Sequence, residues 1–265
     1  MLSRIKAKFK ELEAKGKKAF IPFLMSGDPS LELSKELVLA AEEKGADIIE
    51  LGIPYSNALA DGPTIQSAAQ RALTNNINLS DIFQLVKEIR AESEIPIILM
   101  GYYNSLFNYG LENFIKDCEE SGVDGAIIPD LPPEENKELR DLSNQVDLIL
   151  LLSTTSNDSR IEKVTNLSTG FIYAVSTPGT TGTRKELSLE IKDTIEKIKG
   201  KTDLPVAVGF GISNPEHVKQ VADFADGVIV GSAIIEQIEN NLESEQKELI
   251  KEVGGFIAEL TAPLK

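Results

Sequence analysis

Glu50 interrupts an apolar run, Ile48-Ile49-Glu50-Leu51-Gly52-Ile53. A carboxylate in that setting is either desolvated or turned into a polar pocket. Burial raises its pKa, because the charged form loses hydration, and a raised pKa suits proton transfer near neutrality. The other reading is structural, a buried carboxylate that caps backbone amides or pairs with an arginine. For Glu50 alone the two readings weigh evenly. Asp61 follows on the next connection, just before Gly62-Pro63. Taken alone it reads as a helix-capping residue.

Three glycine-bearing turns lie late in the chain: Gly179-Thr180-Thr181-Gly182, Gly209-Phe210-Gly211-Ile212-Ser213 and Gly231-Ser232. Each follows an apolar run, and the last two lead into helical patterns. Backbone N–H groups at such turns, backed by helix dipoles, form anion sites. Tight turns with Ser232 as a cap describe the same residues, and both descriptions hold together. Tyr173, inside an apolar run, and Tyr102-Tyr103-Asn104, after another, are further groups able to face a site or simply pack.

Other chemistries lack their residues. One cysteine, Cys118, and one histidine, His217, permit no intrachain disulfide and no Cys/His zinc cluster. Cys118 reads as a small buried hydrophobe. His217 sits just past a helix start, on a solvated face. No apolar run carries the lysine that a Schiff base needs. No G-x-G-x-x-G opens a helix after the first run. Carboxylates, tyrosines and backbone donors remain.

The elements that must position them are regular. Eight short apolar runs, at 19–25, 47–51, 95–100, 124–128, 147–152, 171–175, 205–208 and 226–230, read as parallel strands buried on both faces. Amphipathic patterns lie between them, near 30–44, 63–74 with 79–91, 110–121, 133–143, 157–167, 188–199 and 214–223. Two more follow, near 232–240 and 243–260, and one precedes, near 2–14. Eight alternations predict a (β/α)8 barrel with an extra N-terminal helix across its bottom. The runner-up is a doubly wound open sheet, which needs fewer strands or a central break. With no linker-like stretch, residues 1–265 read as one domain. The connections 52–62 and 176–187 and the two late glycine turns all follow strand C-termini, the end that carries a barrel's active site.

The chain of 265 residues has 27 Lys and Arg against 42 Asp and Glu, a formal net charge of −15. That sign disfavours nucleic acid and anionic membranes as partners. Any anionic substrate must be held locally against the overall field. No stretch approaches the roughly 18 apolar residues of a membrane span, and the lysine-rich N-terminus lacks an apolar targeting core. A cytoplasmic location is expected.

The blocks F-I-P-F-L-M-S-G-D-P (20–29), G-A-D-I-I-E-L-G-I-P-Y-S (45–56), L-A-D-G-P-T-I-Q (59–66) and F-I-Y-A-V-S (171–176) closely resemble the tryptophan synthase alpha chain family. So do G-T-T-G (179–182), G-F-G-I-S (209–213) and G-S-A-I (231–234), in matching order and spacing from about residue 3 to 260. The resemblance implies a barrel that cleaves indole-3-glycerol phosphate to indole and glyceraldehyde 3-phosphate by a retro-aldol reaction. It implies Glu50 as the acid/base and Asp61 as the carboxylate that accepts from the indole N–H. Thr181 matches a lid threonine that meets Asp61 on closure. Gly182, Gly211, Gly231 and Ser232 match phosphate-binding backbone. Tyr173 and Phe210 match residues around the indole and phosphate, and Phe20, Ile127 and Leu152 are expected to line the apolar indole pocket, with Tyr102, after the third run, a further candidate for substrate binding.

The resemblance further implies no cofactor in this chain. Pyridoxal phosphate is expected in a beta partner, within an αββα heterotetramer. The family usually reads S-D-P where this chain has Ser56-Asn57-Ala58. Losing a charge and a φ-fixing proline should loosen that loop. In Ser176-Thr177-Pro178-Gly179, Pro178 stands before the glycine, where the family often has arginine. The altered pair keeps a second assembly open, a stand-alone indole-3-glycerol phosphate lyase with the same chemistry.

Overall fold

The computed structural model describes residues 3–264 apart from 144, 154, 176–183 and 210, with the backbone alone over 184–190. Eight parallel strands close in chain order: β1 (Ala19–Met25), β2 (Ile49–Gly52), β3 (Ile97–Met100), β4 (Gly125–Ile127), β5 (Asp147–Ser153), β6 (Ile172–Val175), β7 (Val206–Gly209) and β8 (Gly227–Val230). β1 pairs with both β2 and β8, which completes the cylinder. This is the (β/α)8 barrel that the alternation predicts. The strands are apolar on both faces because one face meets the barrel interior and the other the helices.

The helices are α1 (Arg4–Ala14), α2 (Leu31–Glu43), α3 (Pro63–Thr74), α4 (Leu79–Arg90), α5 (Tyr103–Tyr109), α6 (Leu111–Ser121), α7 (Lys137–Leu142), α8 (Asp158–Leu167), α9 (Arg184–Lys199), α10 (Pro215–Ala222), α11 (Ser232–Asn240) and α12 (Gln246–Thr261). Their starts follow local chemistry. Ser30, Asn157 and Asn214 each accept a backbone N–H from the first turn of α2, α8 and α10. Asn78 and Asp81 form a reciprocal capping box on α4. Gly122 ends α6 in the left-handed region, at φ +88°. The short α5 is an addition to the sequence reading, which leaves Tyr103 and Asn104 in a loop.

Strand register divides the side chains into two sets. Phe23 pairs with Glu50, Glu50 with Ile98, Leu151 with Tyr173 and Tyr173 with Ala207, all pointing inward. Ile21, Ile98, Ile127, Ile149, Phe171 and Ile229 pack as an interior cluster. α1 lies across the barrel bottom and adds Ile5, Phe9 and Leu12 to it, with the Phe9 and Phe171 rings 5.6 Å apart. Arg4 ties α1 to Asp124, which also accepts from Arg90 and from the Ile97 N–H that opens β3.

Candidate active site

At the C-terminal ends of the strands lies a cavity of about 530 Å3. Glu50 and Asp61 line it together. Glu50 is 1% exposed, on β2, and its Oε2 has no hydrogen-bond partner among the described residues. Burial, and then the nearby Asp61 charge, push its pKa up to about 8. Glu50 is therefore protonated at neutral pH. Among the described residues no arginine takes up the unpartnered oxygen, so no ion pair among them explains this carboxylate.

Asp61 is also raised from its ordinary value by burial, but the Tyr102 hydroxyl acts against the rise. That hydroxyl donates to Asp61 Oδ2 at 3.1 Å and accepts the Ala60 N–H at 2.9 Å. Tyr102 thus reaches the site through Asp61, while its ring stacks on Tyr55 with centroids 5.2 Å apart. The connection that carries Asp61 is anchored despite the Asn57-Ala58 pair. Ala58 is buried, and Gln66 Nε2 donates to the carbonyls of Ala58 and Asp61 at 3.1 and 2.9 Å.

Tyr173 lines the cavity from β6, with its hydroxyl raised by burial and by the Glu50 and Asp61 charges. A Cβ on Gly209 of β7 would stand 2.6 Å from Tyr173 Cε2, so the ring occupies space that only glycine leaves open. The far end of the cavity is built from backbone. Gly211, at φ +68°, Ile212 and Ser213 lie on one side, and Gly231, Ser232 and Ala233, at the start of α11, on the other. Helix-start amides directed at a cavity suit an anion. Among the described lining residues there is no lysine, arginine or histidine, and Glu236 adds a third carboxylate.

Three expected pocket residues are placed elsewhere. Phe20 and Leu152 point outward into the helix layer, Phe20 among the residues packed under the helices and Leu152 beside Ile161 and Val164. They have the opposite strand parity from Glu50 and Tyr173. Ile127 points inward but lies within the interior cluster and does not line the cavity. The apolar walls are instead Phe23, Ile65, Met100, Pro129, Leu151 and Ile229. Register marks the inner face: Phe23 pairs with Glu50 and Leu151 with Tyr173, and the four share the inward parity. Thr181, Gly182 and Phe210 lie outside the described residues. His217 makes contacts of 3.5 and 3.4 Å with Ser213 Oγ and Asn214 Nδ2 and does not line the cavity.

A family model described as tryptophan synthase alpha chain matches residues 9–260. The tryptophan synthase alpha chain of Geotalea uraniireducens is 46% identical over 266 residues, covering 100% of this chain and 98% of the relative. That of Thermoanaerobacter sp. is 44% identical over 261 residues, with 98% of each covered. The crystal structure of tryptophan synthase subunit alpha from Legionella pneumophila superposes with a TM-score of 0.92 at 36% identity, covering 100% of this chain and 99% of that one. A structure of the tryptophan synthase a2b2 complex from Pyrococcus furiosus matches at 38% identity and a TM-score of 0.84, covering 92% of this chain and 98% of the matched chain. The order of the strands, the paired carboxylates at the barrel mouth and near-complete sequence coverage agree, and the chain belongs to the tryptophan synthase alpha chain family.

Proposed function

We propose that Glu50 and Asp61 carry out the retro-aldol cleavage of indole-3-glycerol phosphate. The observation that carries this assignment is a fully buried Glu50, with one carboxyl oxygen unpartnered among the described residues, sharing one cavity with Asp61. The Glu50 carboxyl gives its proton to indole C3. The ring becomes an iminium cation, and Asp61 accepts the indole N–H and stabilises the positive charge. The Glu50 carboxylate then takes the proton from the hydroxyl on the carbon attached to the ring. As that oxygen forms the aldehyde carbonyl, the C–C bond breaks and its electron pair returns to the ring. Indole and glyceraldehyde 3-phosphate leave, and Glu50 has its proton back.

Protonation at C3 makes the indole its own electron sink, so the step needs no Schiff base. The phosphate fits the amides of Gly211–Ser213 and the α11 start, with Ser232 as a hydroxyl donor. The indole ring fits between Phe23, Met100, Leu151 and Tyr173. Gly182, Thr181 and Phe210 are assigned to phosphate and lid roles on the motif alone. The chain works in an αββα assembly with a beta subunit that holds pyridoxal phosphate, in the cytoplasm. No described helix is long and apolar enough to cross a membrane.

The test is indole release from indole-3-glycerol phosphate by the purified chain, alone and with a beta subunit from a close relative. Slow release that rises on adding beta is the expected result. Fast release indifferent to beta identifies a stand-alone lyase. Glu50→Gln should lower turnover by about 100-fold or more while substrate still binds. Near-normal turnover in that variant would remove Glu50 from its role.

A further inference from the structure

A second cavity, of about 540 Å3, lies at the opposite end of the barrel, under α1 and beside the chain entering β1, β7 and β8. It is as large as the catalytic one and inverts its charge. Five lysines line it, at 6, 10, 17, 18 and 199, against the three carboxylates of Glu13, Asp203 and Asp226, in a chain of net charge −15. The catalytic cavity has three carboxylates and no cation among its described lining residues.

The lysines are not all neutralised in place. Asp226 Oδ1 serves both Lys199, at 2.8 Å, and Lys18, at 3.4 Å, while its Oδ2 accepts the Val206 N–H. Lys6 pairs with Asp147 at 3.6 Å, and Lys17 lies near enough to Asp47 to act on its charge, but the exposed Lys10 and Lys17 make no ion pair among the described residues. Glu11, the nearest acid in sequence to Lys10, is engaged by Lys8 and Lys15. The walls between the lysines are apolar, formed by Phe9, Leu12 and Leu204. Like charges gathered in a concavity with low-dielectric walls repel one another and focus a positive potential into it. A bound anion relieves that repulsion.

We infer that this cavity is a ligand site separate from the catalytic one. It takes a small molecule with an apolar, ring-sized body and a sulfonate-, phosphate- or carboxylate-type anionic group. The anion lies against Lys10 and Lys17, and the body against Phe9, Leu12 and Leu204. Its volume falls in the range of about 300–1,000 Å3 common for small-molecule sites. The interior cluster that includes Ile21, Ile149 and Ile229 separates it from Glu50.

The probe is 8-anilinonaphthalene-1-sulfonate, titrated by fluorescence into the full chain. A non-cleavable indole alkyl phosphate is added at saturation to fill the catalytic cavity. The expected result is one equivalent of dye that the phosphate does not displace and that added salt weakens. Lys10→Glu with Lys17→Glu should weaken it by about tenfold or more, and Lys10→Gln with Lys17→Gln by less. Unchanged circular dichroism in both variants checks the fold. The uncharged analogue N-phenyl-1-naphthylamine should bind much more weakly. Complete displacement by the indole phosphate, equal binding to the lysine-reversed variant, equal binding of the uncharged analogue, or no binding would each overturn the inference.

Discussion

Two carboxylates in one cavity have different local partners. Asp61 has the Tyr102 hydroxyl as a donor, while the Oε2 of Glu50 has none. Tyr102→Phe removes the donor and leaves the Ala60 N–H without its acceptor. The lower limb of the pH profile of kcat/KM should move to higher pH, as the Asp61 charge becomes harder to form. Turnover at neutral pH should fall by about tenfold, the loss of one hydrogen bond to a charged group. An unmoved lower limb would show that Tyr102 does not hold Asp61. Glu50 also makes stability depend on pH. The unfolded chain releases this proton near 4.5 and the folded chain only near 8, so folding favours the protonated form. Stability from this group is intact below pH 4.5 and is lost as pH rises towards 8, by at most about 5 kcal/mol. Glu50→Gln, which is neutral throughout, should match the wild type in thermal melts at acid pH and exceed it increasingly up to pH 8. A gap that does not change with pH would contradict the raised pKa.

The catalytic mouth depends on strands meeting at close range. Gly209 on β7 leaves room for the Tyr173 ring on β6, so Gly209→Ala should cost about 1–3 kcal/mol through overpacking. It should also raise KM by pushing the ring into the cavity. Urea unfolding and steady-state kinetics read the two effects separately, and a variant unchanged in both would show that the ring simply moves aside. The strands themselves were legible because each is a short apolar run between helix-start signals. β1 spans the same 19–25 that the run spans, and β5 extends 147–152 by one residue. Facing was less legible. A strand buried on both sides carries no hydrophobic alternation to mark its inner face, so nothing in the runs themselves separates Phe20 and Leu152 from the inward Phe23 and Leu151, three and one residues away. Polar residues supply the missing mark: Glu50 and Tyr173 fix the parity of β2 and β6, and register transfers it to β1 and β5. α5 is not legible in the sequence, because a seven-residue helix starting at Tyr103, with no side-chain cap, shows too little periodicity. The Tyr102–Asp61 bond joins residues on separate connections, and no spacing in the sequence announces it.

Across the whole molecule the two ends do different work. α1 closes the bottom through Phe9 on Phe171, and the top carries the carboxylates. Phe9→Ala should destabilise the protein by about 3–5 kcal/mol, the cost of removing a buried aromatic ring. The kcat of the folded fraction should remain unchanged. A fall in kcat at temperatures where the variant is fully folded would show that the plug also shapes the catalytic end. The pairing of Ala19 with Gly227 has another consequence, in time. A ribosome releases β1 early and β8 only when most of the chain has been made. Throughout that interval the nascent sheet keeps a bare edge along β1, with backbone amides and carbonyls that nothing yet pairs. Translation that stops short of residue 227 therefore leaves an open sheet with two sticky margins, a product suited to chaperones and proteases and not to catalysis.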